Sequence, residues 1–199
     1  EACRAQLGPV DILVHNAAGG PHKTFDKLTA SHFAITFGIN VEAAFHLAQL
    51  VVPTMRERGR GWIVNISSAS AELPKGPPFE AYQINGGVHL YAASKAALNR
   101  MTVGLAAELS ETGIAVNTLA PVAAVITAAV RMTGADKWIK PEMIEPVEAL
   151  AEAALALATC DAKATGRITY ALDLLRDLGR EIRTLDGRAA LTRENAQTR

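Results

Sequence analysis

Apolar positions along this chain follow two rhythms. Residues 10–15, 62–66, 114–119 and 167–171 are short apolar runs, of the length and make-up of strands buried in a parallel sheet. Between them lie longer segments with apolar residues at helical spacing. The pattern predicts helices over residues 2–7, 31–58, 89–112 and 146–159, and a short one after the fourth strand, ending at Leu178. In the segment 31–58 the apolar positions include Phe33, Phe37, Val41, Phe45, Leu47, Leu50 and Val51. Punctuation agrees with these limits. Gly8-Pro9, Gly59 and Gly113 stop helices, Ser31 reads as an N-cap, and Pro146 reads as a first helical residue. Residues 69–88 form a loop rich in proline and glycine, and the charged residues 181–199 read as a surface tail. No internal repeat or low-complexity tract interrupts the pattern.

Strands alternating with helices imply an α/β fold, a Rossmann-like, doubly wound parallel sheet with helices on both faces. In such sheets ligands sit beyond the carboxyl ends of the strands. Three segments fall there: the loop Asn16, Ala17, Ala18 and Gly19, the pair Ser67-Ser68, and the turn at Pro121.

Composition narrows the function. The chain has 199 residues, 49% hydrophobic and 20% charged, which suits one globular domain. Its 20 basic residues cancel its 20 acidic ones, so no field draws in nucleic acid or an anionic membrane. Cys3 and Cys160 form no metal spacing and no disulfide framework. Cys160 reads as a buried small residue. No signal peptide and no bilayer-length apolar run are apparent, so a soluble, cytoplasmic protein is expected. His15, His46 and His89 are expected to satisfy local hydrogen bonds rather than bind metal, and no metal or serine-hydrolase motif is present.

The candidate chemistry lies in Tyr91 and Lys95. Four residues apart on a helix, they share one face. A phenol ordinarily titrates near pH ~10, and a neighbouring ammonium favours the phenolate. Such a pair facing a serine hydroxyl trades a proton with an alcohol or ketone. Ser67 and Ser68 are the two candidates for that serine. Tyr82 is an alternative phenol, but Gly86 stands where its lysine partner is needed.

In order along the chain stand Asn16-Ala17-Ala18-Gly19, Gly38-Ile39-Asn40-Val41, Ile66-Ser67-Ser68, Tyr91-x-x-x-Lys95 and Val116-Asn117-Thr118-Leu119-Ala120-Pro121. Together these strings resemble the short-chain dehydrogenase/reductase family over residues 1–180. The resemblance implies a catalytic portion of an NAD- or NADP-dependent oxidoreductase interconverting an alcohol and a ketone or aldehyde. It implies Tyr91 as general acid or base, and Lys95 as the group that lowers its pKa and bonds the nicotinamide ribose. Ser68 would polarise the substrate oxygen, and Asn40 would kink the long helix and seat a water toward Lys95. Asn16, Ala17, Ala18 and Gly19 would pass near the adenosine side of the cofactor. Pro121, Val122 and Thr127 would lie against the nicotinamide.

The chain also departs from the family pattern. A strand, glycine-rich turn and helix normally carry the cofactor pyrophosphate, and no such motif is present: Gly59-x-Gly61 precedes a strand. The sheet is therefore expected to be incomplete, lacking its first strands, and the chain to be a fragment of a longer reductase or a truncated product. Residues 10–15 should then form an open, apolar edge. Val122 stands where glycine is usual. Ser68 and Tyr91 are 91 − 68 = 23 positions apart, a long insertion expected over the active site. Val125, Ile126, Val130, Met132, Trp138, Ile139, Met143 and Ile144 give the expected lid an apolar character, which suits a small hydrophobic carbonyl or alcohol or simply packs the lid. The helices 31–58 and 89–112 are the expected contact of a homodimer or homotetramer. The alternative reading is a catalytically inactive relative kept as a binding or oligomer-partner subunit.

Overall fold

The structure, a computed structural model, describes residues 2–122, 124–133, 139 and 143–192. Trp138 of the expected lid and the last seven residues of the expected tail lie outside them. In chain order come α1 (Ala2–Leu7), β1 (Ile12–His15), α2 (Ala30–Phe37), a widened turn of π-helix (Gly38–Glu42), α3 (Ala43–Arg58) and β2 (Gly61–Ile66). Then follow α4 (Ala81–Asn85), α5 (His89–Glu108), β3 (Ile114–Ala120), α6 (Ala128–Thr133), α7 (Val147–Ala158), β4 (Ile168–Tyr170) and α8 (Ala171–Asp177).

The four strands form one parallel sheet in the order β1-β2-β3-β4. Alternation along each strand sends side chains to opposite faces. Ile63, Ile114 and Val116 pack with Ala48, Val51 and Met55 of α3 and Ala106 and Leu109 of α5. Val64 and Leu119 pack on the other face with Ala149, Ala153 and Leu157 of α7 and Leu174 and Leu175 of α8. The sheet is therefore doubly wound. Each fully buried side chain of this kind contributes roughly 1.5–3 kcal/mol. The structure is the Rossmann-like α/β sheet that the sequence pattern implies.

Several boundaries differ from the expectation. The cap of α2 is Thr29, not Ser31: its hydroxyl accepts from His32 N at 3.3 Å, while His32 Nδ1 accepts from Thr29 N at 3.1 Å. Pro146 is the cap of α7 rather than its first helical residue, and Ala171 opens α8 rather than closing β4. Helix α5 ends at Glu108, and Gly113 enters the next strand at φ +77°. A Cβ at Gly113 would sit 2.0 Å from the Gly59 carbonyl, so glycine alone lets these two turns close against each other. The expected loop 69–88 holds a single turn at residues 69–71 and the short α4.

The helical run Ala30–Arg58 is 29 residues long and apolar enough, by length and composition, to cross a membrane. Asn40, Glu42, His46 and Gln49 interrupt its apolar positions. Here the run lies against the sheet, with Ala44, Ala48, Val51 and Met55 buried, and carries the buried Asn40 at its centre. At the carboxyl end of the described chain, Ile182 packs on the core of α7 and α8, and Arg180 Nε reaches Glu152 at 2.5 Å.

Strand β1 is an edge. Ile12 and Val14 stay 42% and 45% exposed, while Leu13 packs on the α3 side. One face of the edge strand is thus bare.

Candidate active site

Parallel register brings the carboxyl ends of the strands to one side, with His15 beside Asn65 and Ile66 beside Leu119. Ser67 continues β2 by donating its N–H to the Leu119 carbonyl at 2.7 Å. Its side chain turns inward, and the buried Oγ has no partner. Ser68 is extended and half-buried. Its hydroxyl accepts from Ser70 N at 3.2 Å and lies 2.9 Å from Ser70 Oγ. Of the two serines it is the one at the Tyr91 phenol, where its hydrogen bonding favours the phenolate.

Tyr91 and Lys95 stand one turn apart on α5. Lys95 is 1% exposed. Its Nζ donates to the Ile66 carbonyl at 2.7 Å and lies 5.7 Å from the centroid of the Tyr91 ring. Burial lowers its pKa to about 8, because a charged group pays for leaving water. Burial likewise pushes the Tyr91 phenol up, against the Ser68 hydroxyl, and Tyr82 adds to the upward push. The expected lowering of Tyr91 by Lys95 does not emerge among the causes of its shift: the ammonium is drawn to the Ile66 carbonyl.

Asn40 sits fully buried in the widened turn between α2 and α3. Its Oδ1 accepts from Gly19 N at 3.0 Å, and its Nδ2 donates to the Gly19 carbonyl at 2.9 Å. The same Nδ2 lies 2.8 Å from Ser94 Oγ, whose hydroxyl donates to the Tyr91 carbonyl at 2.7 Å. One side chain thus ties the loop after β1 to the turn carrying Tyr91. The distortion is a π-turn rather than a simple kink, which gives the amide room to face inward.

The expected cofactor residues fall on the segments that follow β1 and β3. Asn16, Ala17 and Ala18 are exposed beyond β1, and Gly19 is held by Asn40. Pro121 and Val122 follow β3, with Val122 exposed. Thr127 is exposed too, and its hydroxyl accepts from Val130 N at 3.3 Å at the start of α6. The lid segment is stitched by Ala124, which accepts from Glu145 N and donates to the Met143 carbonyl.

Two histidines gain a meaning that spacing did not give. His15 is buried, with neither ring nitrogen in a well-formed hydrogen bond and the Ile39 backbone as its polar neighbour. Burial and the Lys95 charge hold it below its usual pKa, against the Ile39 backbone. Its register neighbour Asn65 has an unpartnered Oδ1. The other missed residue is His22, whose ring lies 6.0 Å from that of Tyr91. His46 instead meets Glu42 and Gln49, and His89 packs beside Phe25. Among the described residues no group of three His, Cys, Asp or Glu side chains is placed to hold a metal.

For a nicotinamide nucleotide the donors at this edge fit in part. Lys95 has three N–H groups, and only one is bonded to a described residue. Two remaining donors of a buried ammonium suit the two hydroxyls of a ribose. The exposed rim at residues 16–18 is open to a ligand. At the other end the fit stops, since no glycine-rich turn follows a strand among the described residues.

The parallel, doubly wound sheet thus gathers serine, tyrosine, lysine and asparagine at its carboxyl edge. The family model described as short chain dehydrogenase matches residues 1–138, and the chain belongs to that family. It is 40% identical over 127 residues to the 7alpha-hydroxysteroid dehydrogenase of Escherichia coli K12, covering 64% of this chain and 45% of that one. With nodulation protein G of Azospirillum brasilense it shares 41% over 117 residues, 59% of this chain and 44% of the other. A solved gluconate 5-dehydrogenase from Burkholderia cenocepacia J2315, in complex with NADP and tartrate, superposes with TM-score 0.69 at 28% identity. That likeness covers 85% of this chain and 66% of the solved one. The chain thus spans less than half the length of the two sequence relatives.

Proposed function

We propose that this chain is the catalytic portion of an NAD(P)-dependent oxidoreductase that interconverts an alcohol and a ketone or aldehyde. The observation that carries the reading is the linked set Asn40, Ser68, Tyr91 and Lys95 at one sheet edge. When bound, the nicotinamide supplies or accepts the hydride. The chain's own work is proton handling and positioning. Ser68 holds the substrate oxygen near the Tyr91 hydroxyl. Tyr91, kept protonated by its burial, gives its proton to that oxygen in the reductive direction and takes it back in the oxidative one. Lys95 holds the ribose hydroxyls with its two unbonded N–H groups and sets a positive charge behind the phenol. Asn40 keeps the loop 16–19 and the Tyr91 turn in register. The 16–19 loop and the segment from Pro121 to Thr127 then flank the nucleotide.

The substrate we favour is a small carbonyl or alcohol with an apolar body, in keeping with Val125, Ile126, Val130 and Ile144 in the segment after β3. The partner we favour is a second copy of the chain, joined through α3 and α5, where Phe45, Leu47 and Leu50 are exposed. A soluble, cytoplasmic setting accords with this reading. The second reading, an inactive partner subunit, draws on the missing glycine-rich turn. It leaves the retention of all four site residues without a cause.

The test is substitution of Tyr91 by phenylalanine in the chain joined to a glycine-rich cofactor-binding half. Turnover of NAD(P)H with a ketone should fall by roughly 10²–10⁴-fold, the usual contribution of a positioned general acid. Activity that survives the change would remove Tyr91 from the mechanism.

A further inference from the structure

The Tyr91 ring is bordered by a group the reaction scheme does not use. The His22 ring stands 6.0 Å from the Tyr91 ring, tilted by 41°. Its position is fixed from several sides. Gly19, three residues before, is clamped through both its N–H and its carbonyl by Asn40. Gly20 lies so close to Thr36 that a Cβ there would meet its side chain at 3.1 Å. Lys23, the next residue, donates its N–H to the Gly87 carbonyl at 3.2 Å. Gly87 has φ +60°, and a Cβ there would strike the Lys23 backbone at 2.5 Å. The loop is therefore pinned just before and just after the imidazole.

Against this fixed backbone the imidazole itself is uncommitted. It is exposed to solvent and makes no hydrogen bond to a described residue. Its surroundings hold it below the usual histidine pKa, so it is neutral at pH 7. A neutral imidazole offers one N–H donor and one bare nitrogen acceptor. That pair matches a hydroxyl, which both donates and accepts, better than a carboxylate, which only accepts.

We propose that His22 is a specificity-determining residue that bonds a second oxygen of the substrate, so that the preferred substrate carries a hydroxyl beside the reacting carbonyl. The inference rests on the reading of Tyr91 as the group that meets the substrate oxygen. It refines the apolar substrate proposed above: an apolar body with one hydroxyl next to the carbonyl. The substrate then lies between Ser68 and Tyr91 on one side and the imidazole on the other.

The experiment is an NMR titration of the 199-residue chain labelled with 15N-histidine and 13C-tyrosine. Acetoin and butan-2-one are the two probes, which differ by one hydroxyl next to the carbonyl. Tyr91 and His22 signals are assigned by their loss in Tyr91→Phe and His22→Phe. Both probes should move the Tyr91 signal, and only acetoin should move the His22 ring nitrogens. His22→Phe, which keeps a ring against Tyr91, should weaken acetoin roughly three- to tenfold, the worth of one neutral hydrogen bond, and leave butan-2-one unchanged. His22→Asn, which keeps a donor and an acceptor, should retain the preference. Equal effects of the two ketones at His22, or equal weakening of both in His22→Phe, would overturn the inference while Tyr91 keeps its role. If neither probe moves Tyr91, the reading of the site falls and the inference falls with it.

Discussion

Lys95 is the residue on which burial and chemistry pull hardest against each other. Its ammonium lies under α5 with a single carbonyl partner, and its pKa is lowered from 10.5 to about 8. A base whose pKa is lower in the folded chain binds fewer protons there than when unfolded. Stability should therefore rise as pH climbs from about 8 toward 10.5 and fall as pH drops through 8. The full effect corresponds to about 3 kcal/mol. Cys160 and Tyr91, both raised by burial, work in the opposite sense above pH 9.0 and pH 10.0 respectively, so the clean window lies between about pH 8 and pH 9.0. Urea unfolding across that window should show the slope in the native chain and its loss in Lys95→Met. The residues Asn40, Ser68, Tyr91 and Lys95 were legible in the sequence because their spacing and order carry the pattern. His15 and His22 were not. Their meaning depends on which neighbours a fold brings near, and neither stands in a spacing with a partner. The balance of forces on Tyr91 was also hidden, since a sequence gives no measure of desolvation.

Among the elements, the long helix shows how much a single side chain organises. Asn40 serves Gly19 twice and approaches Ser94 from a turn widened to admit it. Replacing Asn40 with alanine strands the Gly19 N–H and carbonyl in a largely closed setting, which costs on the order of 1–3 kcal/mol for each group left unpaired. Hydrogen exchange should then speed selectively at the Gly19 amide and in the turn preceding Tyr91, while the β2–β3 amides keep their protection. Uniform acceleration across the sheet would mean that Asn40 is a general stabiliser rather than a local clamp. Strand and helix positions could be read from sequence because buried parallel strands and amphipathic helices leave different periods. Caps were less legible. Thr29 is chosen over Ser31 by the reciprocal bond with His32, and a histidine in a capping box is an uncommon signal. The π-turn left no periodic trace because it inserts a single extra residue.

For the molecule as a whole, its two unequal edges matter most. The bare face of β1 exposes Ile12 and Val14, as an apolar edge strand without a neighbour must. On the outer side, α3 and α5 border a groove with Phe45, Ala48, Val52 and Leu105 among its walls. If that face joins two copies, light scattering should give a dimer or larger assembly, and Leu50→Glu with Phe45→Glu should give a monomer that stays folded. A monomer before substitution would contradict it. The outward apolar positions were visible as a wide stripe, but a stripe does not say whether sheet or second chain covers each part. On the proposed function, the cluster at the sheet edge binds the nicotinamide end of a dinucleotide through Lys95 and Tyr91. The most direct measurement is titration of the 199-residue chain with nicotinamide mononucleotide, read by NMR at 13C-labelled tyrosine and lysine. Tyr91 and Lys95 signals should move with saturable, weak binding, Lys95→Met should abolish it, and adenosine monophosphate should leave both signals in place. A folded chain whose Tyr91 and Lys95 signals ignore the mononucleotide would contradict that function.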